Sequence, residues 1–127
     1  MIRKFDDDAN RPTRGLQIWQ ILIGKAHNRQ TTTYGQLAKL LGFDGGGTLS
    51  HMLGHVYFYC KQNDLPPLTV LVVNQETGLP GEGVKGIDLN RSREEVFTFN
   101  WYGVWPPTPE ELRASYERGE AESSGAS

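Results

Sequence analysis

From Arg14 to about His27 the apolar residues Leu16, Trp19, Leu22, Ile23 and Ala26 recur every three or four positions, which predicts an amphipathic helix. Ahead of it, the Asp6-Asp7-Asp8 run and Arg11-Pro12 predict an irregular lead-in over residues 1–13. Thr33-Tyr34-Gly35-Gln36 has the spacing of a capping box, with Leu37, Leu40 and Leu41 as the apolar stripe and Gly42 as the stop. A short second helix over about 33–41 follows from that pattern. After the turn Phe43-Asp44-Gly45-Gly46-Gly47, the residues Leu49, Met52, Leu53, Val56, Tyr59 and Cys60 define the buried stripe of a third helix, about 49–62. Its opposite face carries Ser50, His51, His55, Phe58 and Gln62.

Leu68 to Asn74 is a β-branched run of strand length, bounded by the turn Gln75-Glu76-Thr77-Gly78 and by Leu79-Pro80-Gly81-Glu82-Gly83. Residues 84–95 are polar without a clear period. Val96 to Tyr102 reads as a second, aromatic strand. Thr108-Pro109-Glu110-Glu111 is a helix start with proline in the first turn and a second capping box. That helix, about 109–118, has Leu112, Ala114 and Tyr116 to bury and is expected on the surface, with a disordered tail over 119–127. The order helix, short helix, tight turn, longer helix, strand and turn predicts an α+β fold. Its core over 14–80 is a winged helix-turn-helix of three helices and a small β wing, extended over 81–118 by the aromatic strand and surface helix.

Composition adds bounds. With 127 residues, 37% hydrophobic and 22% charged, the chain has the make-up of one globular domain. No apolar run approaches the roughly 18 residues needed to cross a bilayer. The first ten residues lack the apolar stretch of a signal peptide, and Cys60 is the single cysteine, so a cytoplasmic protein without disulfides is expected. The net charge of −2 conceals an asymmetry: residues 1–62 hold eight basic and four acidic residues, and residues 63–127 hold five basic and eleven acidic. Such a split suggests one face prepared for a polyanion.

In a helix-turn-helix the N-terminal end of the second helix enters a DNA groove. Here that end presents Thr48, Ser50, His51 and His55, with phosphate contacts expected from Arg29, Lys39 and Lys61 or from the early segment of the chain. His51 and His55 stand one turn apart, a spacing that can bind metal, but Met52 replaces the glutamate of a zinc-hydrolase signature and no third ligand is evident, so no metal or other cofactor is assigned. Cys60, on the apolar stripe, reads as core rather than nucleophile. Trp101, Tyr102 and Trp105 could stack on an unpaired base, or lid a small core. Asp64, Glu76, Glu82, Asp88, Glu94 and Glu95 lie in turns and loops without paired metal-ligand spacing, which gives little support to a hydrolase.

Thr33-Tyr34-Gly35-Gln36-Leu37-Ala38, the glycine turn, Ser50-His51-Met52-Leu53-Gly54, Asn63 with Pro66-Pro67, and Val72-Val73-Asn74 before Gly78 together resemble the DNA-binding domain of the O6-alkylguanine-DNA alkyltransferases. The similarity covers about residues 15–80 and is closest to the non-catalytic alkyltransferase-like proteins. It implies a winged helix-turn-helix that binds double-stranded, damaged DNA through the minor groove and flips a nucleotide into a pocket. By the same resemblance Tyr34 pushes on the flipped nucleotide, His51 stands where the family has an intercalating arginine, and Thr69 falls near the acceptor cysteine and is a pocket candidate. Trp101, in a stretch with no counterpart in the family, is the second pocket candidate as an aromatic able to stack on a base. The sequence contains no Pro-Cys-His-Arg, so alkyl transfer is excluded and a non-enzymatic DNA-binding protein is expected. The alternative is a protein-interaction module that uses the acidic, aromatic second half, with Trp101 and Trp105 facing its partner.

Overall fold

Helix starts are set by caps in this chain. The computed structural model describes residues 2–5, 10–43, 49–80 and 88–125. Helix α1 spans Arg11–His27 and begins earlier than expected, because Asn10 caps it by accepting from the Thr13 amide at 2.9 Å. Pro12 does not break the helix; it sits in the first turn, where amides lack intrahelical partners anyway. Helix α2, Tyr34–Leu41, forms as read: Thr33 Oγ1 accepts from the Gln36 amide at 3.0 Å and Gln36 Oε1 accepts from the Thr33 amide at 3.1 Å. Gly42 ends it with φ +83°, a left-handed conformation that favours glycine. Helix α3 covers Leu49–Gln62 and buries Leu49, Met52, Leu53, Val56 and Cys60, as the apolar spacing predicts.

The two expected strands fare differently. Leu68–Leu71 is a 3-10 turn, and only Val72–Val73 (β2) is extended, pairing in parallel with Thr32–Thr33 (β1). Leu68, Val70, Leu71, Val72 and Val73 are all buried and Thr69 is half-buried, and a run buried at nearly every position has no need of strand alternation. The turn after β2 is present: Asn74 Oδ1 accepts from the amides of Glu76 and Thr77, and Val73 and Pro80 form an antiparallel bridge. The second strand, 96–102, is absent. Residues Leu89–Thr98 form helix α4, capped by Asp88, and Trp101–Gly103 is another 3-10 turn. The spacing of seven between Leu89 and Val96 puts both on one helix face, which outweighs the aromatic alternation of Phe97, Phe99 and Trp101.

The resulting arrangement is α+β in the coarse sense, with five α-helices and a two-stranded parallel sheet among the described residues. Its core is centred on Trp19, whose ring meets Tyr59 at 5.6 Å and Trp101 at 5.5 Å between centroids, both edge-on. The Trp101 indole donates to the Val96 carbonyl at 2.8 Å, so α4 and the following turn close over α1.

Helix α5, Pro109–Gly125, starts with the second capping box, between Thr108 and Glu111. It is longer than expected, since residues 119–125 continue it rather than forming a disordered tail. Nor does it merely lie on the surface: Leu112 is fully buried, and Ser115 and Gly119 are buried against α3. Ala114, expected inside, is exposed. A Cβ on Gly54 would stand 2.8 Å from the Tyr116 ring, and one on Gly119 would overlap the Phe58 ring. Those two glycines therefore permit the helices to close on each other. Gly119→Ala is expected to lower stability by about 1–3 kcal/mol, the usual cost of overpacking, whereas Ala114→Ser changes it little. Urea unfolding followed by circular dichroism measures both.

Candidate nucleic-acid interface

Helix α3 has two covered faces, and this changes which of its residues can meet a ligand. Ser50 and His51 are exposed in the first turn, while Thr48 and Gly45–Gly47 lie outside the described residues. His55 is not on an open face, as the amphipathic pattern suggested; it is 3% exposed beneath Tyr116, with ring centroids 4.3 Å apart and planes 6° from parallel. Its Nδ1–H donates to the His51 carbonyl at 2.7 Å. Phe58 packs on Tyr116 and Gly119, and Gln62 donates to the Ser115 carbonyl at 2.9 Å while accepting from Arg118. His55 and Gln62, on the outer face of α3, thus meet α5 instead of facing solvent.

Helix α1 supplies basic residues that reading along the chain allowed for only as an early segment, without naming them. The ideal Cβ of Gly15 lies 3.3 Å from His55 Cβ, so the first turns of α1 run against the first half of α3. That packing brings Arg11 close enough to His55 and Tyr116 to act on their charge states. Arg14 lies with its guanidinium 5.4 Å from the centre of the Phe43 ring and donates to Gln17 at 2.8 Å. No local motif marks Arg11 and Arg14, because only the tertiary contact at Gly15 sets the first turns of α1 against a segment some forty residues away.

The expected phosphate contacts separate. Arg29 pairs with Glu94 of α4 at 2.6 Å and lies over Phe97 at 5.1 Å, joining the end of α1 to α4 across the surface. Lys39 is exposed in the last turn of α2. Lys61 is exposed over Tyr57, but eleven residues beyond Ser50 it sits about 16 Å farther along the helix axis. Tyr34 is half-buried and packed on the core at the start of α2.

Neither Thr69 nor Trp101 lines the groove found among the described residues. Trp101 is buried in the core with its N–H used, and Thr69 is half-buried in the 3-10 turn. An open groove of about 720 Å³ lies elsewhere, between the start of α1 and α5, lined by Phe5, Thr13, Leu16, Pro109 and Arg113 among others. Cys60 is buried, and burial pushes its thiol up to about 12, so it supplies no thiolate. His51 and His55 each have Nδ1 engaged, in hydrogen bonds to Tyr116 and to the helix backbone. Comparison of the chain with protein-family models, curated proteins and solved structures gives no match.

Burial lowers the pKa of His55 below its ordinary 6.5; the His51 carbonyl opposes this, Arg11 and His51 reinforce it, and Glu117 opposes it. The folded state therefore keeps His55 neutral where the unfolded chain takes up a proton. Its contribution is complete above about pH 6.5 and is lost as the pH falls below that value. Urea midpoints between about pH 7 and pH 5 should fall more for the wild type than for His55→Phe, which keeps a ring on Tyr116 without a titrating group.

Proposed function

We propose that this chain is a non-enzymatic, cytoplasmic DNA-binding protein of winged helix-turn-helix type, similar to the alkyltransferase-like proteins, which meets duplex DNA with the first turns of α1 and α3. The observation that supports the reading is the packing of the first turns of α1, which carry Arg11 and Arg14, against the first half of α3, which opens with the exposed Ser50 and His51. Cations next to hydroxyl and imidazole groups at the start of a helix suit phosphate and base-edge contact. The α2–Gly42–α3 order and the bridged turn after β2 are consistent with a helix-turn-helix followed by a reduced wing. No helix among the described residues is long and apolar enough to cross a membrane. On α3, contact falls at the N-terminal turn, because α5 covers His55, Phe58 and Gln62 farther along.

Fluorescence anisotropy with duplex, mismatched and alkylated oligonucleotides across a salt series tests this. Affinity should fall steeply with salt, and Arg11→Ala or Arg14→Ala should each reduce the log–log slope by about one. Absence of binding to all three duplexes at low salt and tens of micromolar protein, on the order of nonspecific affinities, would sink it.

A second reading, a protein-interaction module, is favoured by one observation. Trp105 is 91% exposed and Tyr102 63% exposed, so both lie outside the core. Trp101, expected to share this surface, is excluded by its burial. Under this reading Trp105→Ala abolishes a stoichiometric protein complex, and DNA has no effect on that complex.

A further inference from the structure

Between the 3-10 turn Trp101–Gly103 and α5 the chain reads Val104-Trp105-Pro106-Pro107-Thr108, and Pro109 opens the helix. No residue from 105 to 108 belongs to a helix or strand. Proline fixes its own φ at about −65° and confines the residue before it to extended backbone. Trp105, Pro106 and Thr108 each precede a proline, and Val104 itself is extended, with φ −109° and ψ 148°. The covalent structure of the segment therefore holds it near the polyproline II conformation.

Burial along the segment repeats every three residues. Val104 is half-buried against the core, Trp105 and Pro106 are exposed, Pro107 is buried, Thr108 is exposed and Pro109 is half-buried. A polyproline II helix has about three residues per turn, so positions three apart share a row. Val104 and Pro107 form the row that fastens the segment to the protein. The other two rows lie outside: Trp105 with Thr108, and Pro106 with Pro109, the last partly covered where α5 begins. Trp105 is 91% exposed.

We propose that residues 104–109 are a preformed polyproline II ligand for a partner protein whose domain reads such helices in an aromatic-lined groove. Pro106 and Pro109 have the P-x-x-P spacing such grooves accept, and the Trp105 indole is the anchor beside them. The fold has already ordered the segment, so docking loses little conformational entropy. Residues 103–109 carry no charge, which favours an apolar groove over a phosphate backbone. The inference goes beyond the DNA-binding reading and rests on the protein-interaction one, to which it gives a partner chemistry.

Purified SH3 and WW domains, titrated singly against the full chain in a calorimeter, are the probes. At least one should bind, and a free P-x-x-P peptide should compete for the same groove. Trp105→Ala and Pro106→Ala should each weaken that complex about tenfold or more. Pro106→Ala keeps the indole but releases the backbone on either side of residue 105. Both variants replace exposed side chains, so the circular dichroism spectrum and the affinity for duplex DNA should stay at wild-type values. No binding by any probe at roughly 1 mM domain, the weak end of specific affinity, overturns the proposal. A complex lost in Trp105→Ala but unchanged in Pro106→Ala overturns the polyproline docking and leaves the protein-interaction reading standing. Binding of an oligothymidine that Trp105→Ala abolishes also overturns it, by making the indole a platform for bases.

Discussion

Close approach between α3 and α5 decides what this molecule can present. Gly54 and Gly119 each stand where a methyl group would strike an aromatic ring of the opposite helix. With both in place, Tyr116 reaches His55 and His51, Phe58 covers Gly119, and Gln62 bonds to the α5 backbone. Helix α3 is consequently enclosed on two sides, by the Trp19 core within and by α5 without. Its first turn, with Ser50 and His51, is left open, as is Lys61 near its other end, and the first turns of α1, with Arg11 and Arg14, run against its first half. The proposed interface is what remains after packing has used the rest.

The same packing explains how charge is distributed. The basic first half and acidic second half are not two separate faces. Arg29 and Glu94 join them across the surface, and Arg118 of the acidic half bonds to Gln62 of the basic half. An exposed ion pair of this kind contributes little stability, but it removes Arg29 from the set of cations free to meet a polyanion. The cations near the α3 start are therefore fewer than the composition suggests.

Features encoded locally were legible in the sequence. Both capping boxes, the Gly42 stop and the inner stripe of α3 depend on residues within four positions of one another, and each forms as its spacing predicts. Features that depend on tertiary contact were not. Leu68 to Val73 reads as a strand because it is apolar and β-branched, but burial of five of its six residues allows a 3-10 turn there. Val96 to Tyr102 has aromatic alternation, yet its first half completes a helix that begins in a polar segment without an evident stripe. The contact face of α5 consists largely of Ser115, Tyr116 and Gly119, which a search for apolar residues passes over. His55 misled for a related reason: an imidazole on a polar face suggests solvent, whereas a flat neutral ring can stack on tyrosine.

The central claim is that α5 closes the outer face of α3 and leaves its first turn, with the first turn of α1, as the contact surface. Amide chemical-shift mapping during a titration with duplex DNA tests it most directly. The account predicts perturbation at Arg11, Arg14, Ser50 and His51, with His55 to Gln62 and α5 beyond Tyr116 undisturbed. Shifts running through Phe58 and Gln62 as α5 detaches, or shifts gathered around Trp105 instead, would contradict it.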